Sequence, residues 1–262
     1  MNKMTIGQYI PGSSYWHGAD PRAKMIVNLI FIIACFLIGS WGLMIAIIVL
    51  ELLAIRLTKI PWIYFIRSLK PIIFFVILTV LLQVLFHREG QPIFQLGFFQ
   101  LTDAGLMRGI FMASRLIVVI LASTLLTLTT KPSDLTLALE SLMKPLKKVK
   151  FPVSEFALMV AIALRFIPTL FEETGKILKS QASRGVDISE GSLKEKISQL
   201  ISLLVPLFVL AFNRADELSN AMEIRGYVPG KKRTSLKLLR WRIHDTVLLS
   251  IGVSVFLLAI VF

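Results

Sequence analysis

From Met25 to Leu57 the chain is apolar almost without interruption. As one helix this run would reach about 50 Å, against a hydrocarbon core about 30 Å thick, so it must turn back on itself. Gly39-Ser40-Trp41-Gly42 supplies the reversal, with Trp41 suited to a membrane interface, and two closely connected spans are expected. Hydrophobic residues fill 55% of the 262 positions. That is more apolar surface than a soluble domain can hide, so the bilayer covers part of it.

The formal charge of +13 is segregated between apolar runs, which is the pattern of the positive-inside rule and argues against a nucleic-acid surface. Arg56, Lys59, Arg67 and Lys70 mark a cytoplasmic loop, and Pro71 opens a third span running to about Phe86. His87 to Asp103 reads as the opposite side, and Leu106 to Thr130 as a fourth span. Most of the remaining Lys and Arg lie between Lys131 and Arg242, and Val247 to Phe262 closes the chain as a final span. The expected fold is an all-α integral membrane protein of about five transmembrane helices with long amphipathic cytoplasmic helices. Its expected divisions are a cytoplasmic amino-terminal segment (1–24), a four-span membrane domain (25–130), a cytoplasmic or membrane-surface domain (131–242) and a last span (243–262). Met1 to Lys24 has no apolar core, so no cleavable signal is expected, and the lone Cys35 offers no intrachain disulfide.

The 131–242 region contains a doubled pattern. Phe156 to Phe171 and Ile197 to Phe212 are each roughly sixteen mostly apolar residues, a length compatible with surface helices or with a transmembrane hairpin. Each contains a proline, Pro168 or Pro206, expected to break the helix, and each runs on into polar helix that ends in Arg-Gly. The endings are Ser183-Arg184-Gly185 and Ile224-Arg225-Gly226. Glycine closes a helix in the left-handed conformation, and arginine suits the negative end of the helix dipole. Capping alone would explain one such ending. Two on neighbouring helices point to a partner with two like pockets, because a guanidinium fork can grip carboxylates or backbone carbonyls.

These endings, Gly7-Gln8-Tyr9-Ile10-Pro11-Gly12, Asp20-Pro21-Arg22-Ala23-Lys24 and the order of spans together resemble the transmembrane T component of energy-coupling factor transporters. These are bacterial ATP-driven importers of vitamins and metal ions, and the resemblance covers essentially the whole chain. It implies a multi-pass protein of the bacterial cell membrane. It also implies coupling helices whose Ala-Arg-Gly tips dock into two homologous ATPase subunits and whose apolar faces cradle a separate substrate-binding membrane subunit. ATP and Mg then belong to the partner ATPases, with no cofactor on this chain. Arg184, Gly185, Arg225 and Gly226 match the family's tips, while Ser183 and Ile224 stand where it has alanine.

Other chemistry is sparse. Gly226-Tyr227-Val228-Pro229-Gly230-Lys231 is one residue short of a phosphate loop, and Lys232 stands where Ser or Thr would hold magnesium. Glu51, Arg108 and Arg115 are intramembrane charges, costly in lipid, and Glu51 is expected to pair with one of the arginines. Gly105-x-x-x-Gly109 with Ala113 offers a close helix contact. Two alternatives stay open: a membrane enzyme acting on lipid with His17 and Asp20 as its acid/base pair, and a self-sufficient permease.

Overall fold

A computed structural model describes residues 9–86, 92–96, 99–184, 192–231 and 239–261. Among these residues the fold is all-α apart from one two-stranded ribbon. Contacts divide the chain into two compact units, one formed by Met1–Ala138 with Leu238–Phe262 and the other by Leu139–Lys237.

In the first unit a short turn of helix, α1 (Tyr15–Gly18), precedes α2 (Pro21–Leu37), and Gly39 and Ser40 turn the chain into α3 (Trp41–Thr58). The sequence places the reversal there, because the run is too long to cross once. Next come α4 (Trp62–Leu69) and α5 (Ile73–Phe86), bent by 55° at a break that holds Pro71. Proline has no N–H to continue the ladder, so the expected third span is a broken one whose first part is α4. Strands β1 (Pro92–Leu96) and β2 (Phe99–Thr102) form an antiparallel ribbon leading into α6 (Asp103–Thr129). After α7 (Pro132–Met143), the unit is completed by α10 (Ile243–Val261).

Among the described residues, five helices are long and apolar enough to cross a membrane: α3, α6, α10 and the two long helices of the second unit, with the bent α4–α5 pair as a sixth candidate. The number agrees with the expected five, but the members differ. At 17 residues α2 falls just short on its own, whereas Val153–Ser183 and Lys196–Ile224 both qualify.

Helix α6 is the hub, packing on α2, α3, α4 and α5. Its Val118 and Ala122 join Phe31, Ala34, Cys35, Met44 and Ile47 in one apolar cluster, and Leu125 and Leu128 join Ala54, Ile55 and Phe65 in another. The Gly105–Gly109–Ala113 face is an internal seam: all three are buried, and a Cβ on Gly109 would sit 3.3 Å from Val80 of α5. Helix α5 has no buried residue, and Phe74, Phe75 and Ile77 lie on an all-apolar exterior suited to lipid.

The amino-terminal ends of α2 and α10 and the carboxyl end of α6 meet at a polar node. Asp20 caps α2 by accepting from Arg22 N, and its own N–H donates to Asp245 Oδ1 at 2.7 Å. Asp245 Oδ2 accepts from Arg242 N at 2.7 Å. Lys24 Nζ donates to Thr129 O and Thr130 Oγ1, compensating the carbonyl end of α6. Burial alone would raise the pKa of Asp20, but hydrogen bonds from Arg22 and the charges of Arg22 and Lys24 hold its carboxyl below the usual range. From this node α2 and α10 run side by side, and Gly252 lets Val27 come close: a Cβ there would lie 3.2 Å from Val27 Cγ1.

The second unit contains a 3-10 turn (Lys144–Val149), α8 (Val153–Ser183) and α9 (Leu193–Ile224). The expected breaks at Pro168 and Pro206 do not occur. Both prolines lie inside continuous helices of 31 and 32 residues. The long stretches of helix on either side outweigh the one ladder bond that each proline removes.

Asp245→Ala is expected to leave the buried Asp20 N–H unpaired, at about 1–3 kcal/mol, and to free the half-buried Arg242 N–H at a smaller cost. Thermal unfolding in detergent should show a markedly lower midpoint, whereas Leu257→Ala, on the exposed face of α10, should leave it nearly unchanged.

Candidate functional site

The second Arg-Gly ending is a fully formed Schellman cap. Gly226 N donates to Glu223 O at 2.8 Å and Tyr227 N to Met222 O at 2.9 Å, while Gly226 takes φ +71°, which an L side chain rarely adopts. Closing the helix this way satisfies its last carbonyls from within. Arg225 and Ile224 are left pointing outward, the latter 87% exposed. The following turn is fastened down, since Gly230, at φ +77°, donates its N–H to Glu155 Oε1 at 2.8 Å. Glu155 stands in the first turn of α8, so the tip of α9 is held against the start of α8. A hollow of about 440 Å³ lies beside it, walled by Leu158, Ile162, Leu218 and Met222, with Arg225 and Tyr227 in its lining.

At the first ending, Arg184 N donates to Gln181 O at 3.0 Å and Ser183 Oγ to Lys179 O at 3.0 Å. Ser183 and Arg184 are exposed, and Gly185 lies outside the described residues. The two endings do not converge. Arg225 shares its hollow with Leu158, near the start of α8, while Arg184 follows the last residue of that helix, about 40 Å away at 1.5 Å per residue. The two helices are tied between these points by Arg214 of α9, 3.1 Å from Glu173 Oε1 of α8.

Along α9, Ile197, Leu200, Ile201, Leu204, Val205, Phe208 and Phe212 recur at helical spacing and are all between 44% and 67% exposed. One continuous apolar stripe thus leads towards the polar half that carries Arg225. Pro206 falls within this stretch, and Pro168 falls in the apolar half of α8.

The intramembrane charges are not part of this arrangement. Glu51 makes no ion pair with Arg108 or Arg115, and its Oε1, buried in the first unit, has no hydrogen-bond partner. Arg115 is occupied at the far end of α2: its Nη2 donates to Ile38 O, the C-cap carbonyl, and its guanidinium lies against Phe111 and Phe36. Glu51 sits well along α3 towards Thr58, so the two are at different depths. Arg108 is exposed. The His17–Asp20 pair is likewise committed elsewhere. Ser14 Oγ donates to His17 Nδ1 at 2.6 Å, His17 Nε2 donates to Ile10 O at 2.9 Å, and Asp20 is paired with Arg22. Glu155, Glu173 and Arg214, which position the tips, carry no sequence signal beyond being charged residues within long helices.

Residues 12–236 match the family model CbiQ, cobalt transport protein. A Bacillus subtilis (strain 168) protein named energy-coupling factor transporter transmembrane protein EcfT is 47% identical over 259 residues, covering 99% of this chain and 97% of its own length. Proteins of the same name from Listeria innocua and Streptococcus equi are 47% and 42% identical, covering 95% and 98% of this chain and 94% and 96% of their own lengths.

Gly226→Ala forces an L side chain into the left-handed region at about 1–2 kcal/mol. Hydrogen exchange of the Tyr227 amide, whose bond closes the cap, should speed up roughly 5- to 30-fold. Gly175→Ala, inside α8 with open space around its Cβ, should leave that amide unchanged.

Proposed function

We propose, because the chain belongs to the family of energy-coupling factor transporter transmembrane proteins, that it couples two ATPase subunits to a separate substrate-binding membrane subunit in an ATP-driven importer of a vitamin or other micronutrient. The observation that carries this reading is the separation of the two tips. Arg184 and Arg225 stand about 40 Å apart along α8, so each suits its own pocket on one of two like partners. Exposed guanidiniums at the carbonyl ends of rigid helices fit pockets lined by carboxylates and carbonyls. The neighbouring Ser183, Gly185, Ile224 and Gly226 complete the tips.

The apolar stripe on α9 and the apolar half of α8 face the substrate-binding subunit or lipid, with Pro168 and Pro206 near that interface. Tip and stripe share the same continuous helices, so displacement of a tip by ATPase closure reaches the stripe without passing through a loop. The Arg214–Glu173 tie keeps the two helices moving as a pair. ATP and Mg are held by the partners, and this chain performs no catalysis of its own. It lies in the bacterial cell membrane with its amino terminus and the two tips on the cytoplasmic side, where ATP is available. The alternative of lipid chemistry at His17 and Asp20 loses support from the internal hydrogen bonds of both residues.

Arg184→Glu combined with Arg225→Glu should abolish co-purification of the ATPases and uptake while the chain still inserts; wild-type uptake would refute the docking role. Phe208→Asp with Leu204→Asp should have the converse effect, with the ATPases retained and the substrate-binding subunit lost from the purified complex.

A further inference from the structure

The 3-10 turn of the second unit, Lys144–Val149, carries a surface that neither the tips nor the apolar stripe accounts for. Side chains three apart in a 3-10 helix eclipse one another, so Leu146 and Val149 form one edge, with Lys144 and Lys148 on the two others. Lys150 follows at φ +61°, and Phe151 N donates back to Leu146 O at 3.4 Å, which folds the segment into a compact knuckle. Val149 is 81% exposed, Leu146 43% and Phe151 38%, and Lys144, Lys148 and Lys150 are exposed beside them. No Asp or Glu occurs between Glu140 and Glu155, and none of these three lysines meets a carboxylate among the described residues.

Lysines alone would describe a solvated loop, but an apolar edge held open between them is poorly matched to water. The residues that follow select the occupant. Phe151 packs against Phe156 with ring centroids 5.9 Å apart, and from there α8 is apolar, with Met159 60% exposed, as one of the helices able to cross a membrane. Lysines, then an aromatic pair, then an apolar helix is the order met on passing from lipid phosphate to hydrocarbon. We propose that this turn seats on the bilayer surface, with Leu146, Val149 and Phe151 at the boundary of head groups and acyl chains and Lys144, Lys148 and Lys150 on the phosphates of anionic phospholipid. Lysine stems are apolar and carry the ammonium outward, so the charges stay on phosphate while the edge between them is immersed. A carboxylate-lined protein surface would satisfy the lysines but would set Val149 and Leu146 against polar groups. The proposal does not depend on the docking role of the two tips.

The test uses the full-length chain in lipid nanodiscs with a nitroxide on Val149→Cys, the wild-type chain with its buried Cys35 setting the labelling background. Power saturation compares the label's access to oxygen, which concentrates in lipid, with its access to a water-soluble nickel chelate. The oxygen-to-nickel ratio should be at least about threefold higher in phosphatidylglycerol-rich discs than in pure phosphatidylcholine. Lys144→Gln, Lys148→Gln and Lys150→Gln, which remove no ion pair within the described chain, should each lower the seated-to-lifted ratio about fivefold in the anionic discs. Raising salt to about 1 M, where the Debye length is about 3 Å, should lift the unsubstituted turn as well. Equal ratios in the two lipids, whether the label is immersed or exposed, would overturn the proposal. So would a label open to nickel in both lipids and protected only after ATPase subunits are added, since the turn would then face a protein.

Discussion

Asp245 has no exposed surface and accepts two backbone hydrogen bonds at 2.7 Å, one from Asp20 and one from Arg242. It thereby joins the start of α2 to the start of α10, segments at opposite ends of the chain. A carboxylate satisfied by backbone donors is stable where an unpaired one would not be. Lys24 completes the node by capping α6. Helices α2 and α10 are thus brought into register at one end, and the close approach of Gly252 to Val27 follows from that alignment. The Asp20-Pro21-Arg22-Ala23-Lys24 motif has a physical account in this node: Asp20 caps, Pro21 starts the helix, Arg22 lies over Trp241 and Lys24 closes a neighbour.

The second unit is stabilised differently. It buries few residues, Val153 and Ala157 on α8 and Leu203 on α9 among them. Its order rests instead on helix continuity, a cap and a few charged ties. The Schellman cap at Gly226 and the Glu155 bond to Gly230 hold the tip of α9, and Arg214 joins α9 to Glu173. Such helices keep large apolar faces uncovered, which a helix in a finished monomer would bury. Membership of a family of transporter transmembrane proteins accounts for apolar faces of this length, since lipid can cover what the monomer leaves open.

Much of this was legible from residues alone. The length of Met25 to Leu57 dictates a hairpin of helices, and Gly39 and Ser40 are where it turns. The α9 stop at Arg225-Gly226 is where the sequence places it, because only glycine takes φ +71° without strain. The seam at Gly109 was legible as a close contact, but not as one with Val80. Legibility failed where an outcome depended on depth or on surroundings. Glu51 and Arg115 are both intramembrane charges in neighbouring helices, yet Arg115 found a helix C-terminus and two aromatic rings at one level while Glu51 stayed at another. Pro168 and Pro206 are breakers by local rule, but long helices absorbed them.

Sequence alone determined that the chain is a helical membrane protein, where its hairpin turns, and that two helices end in Arg-Gly, because apolar run length, polar punctuation and glycine's conformational freedom are local properties. Tertiary structure alone decided that the two tips lie at opposite ends of α8, that the last helix pairs with α2, and that Glu51 lines a cavity instead of meeting an arginine. Those outcomes follow from which faces of long helices meet and at what depth, and no local pattern encodes either.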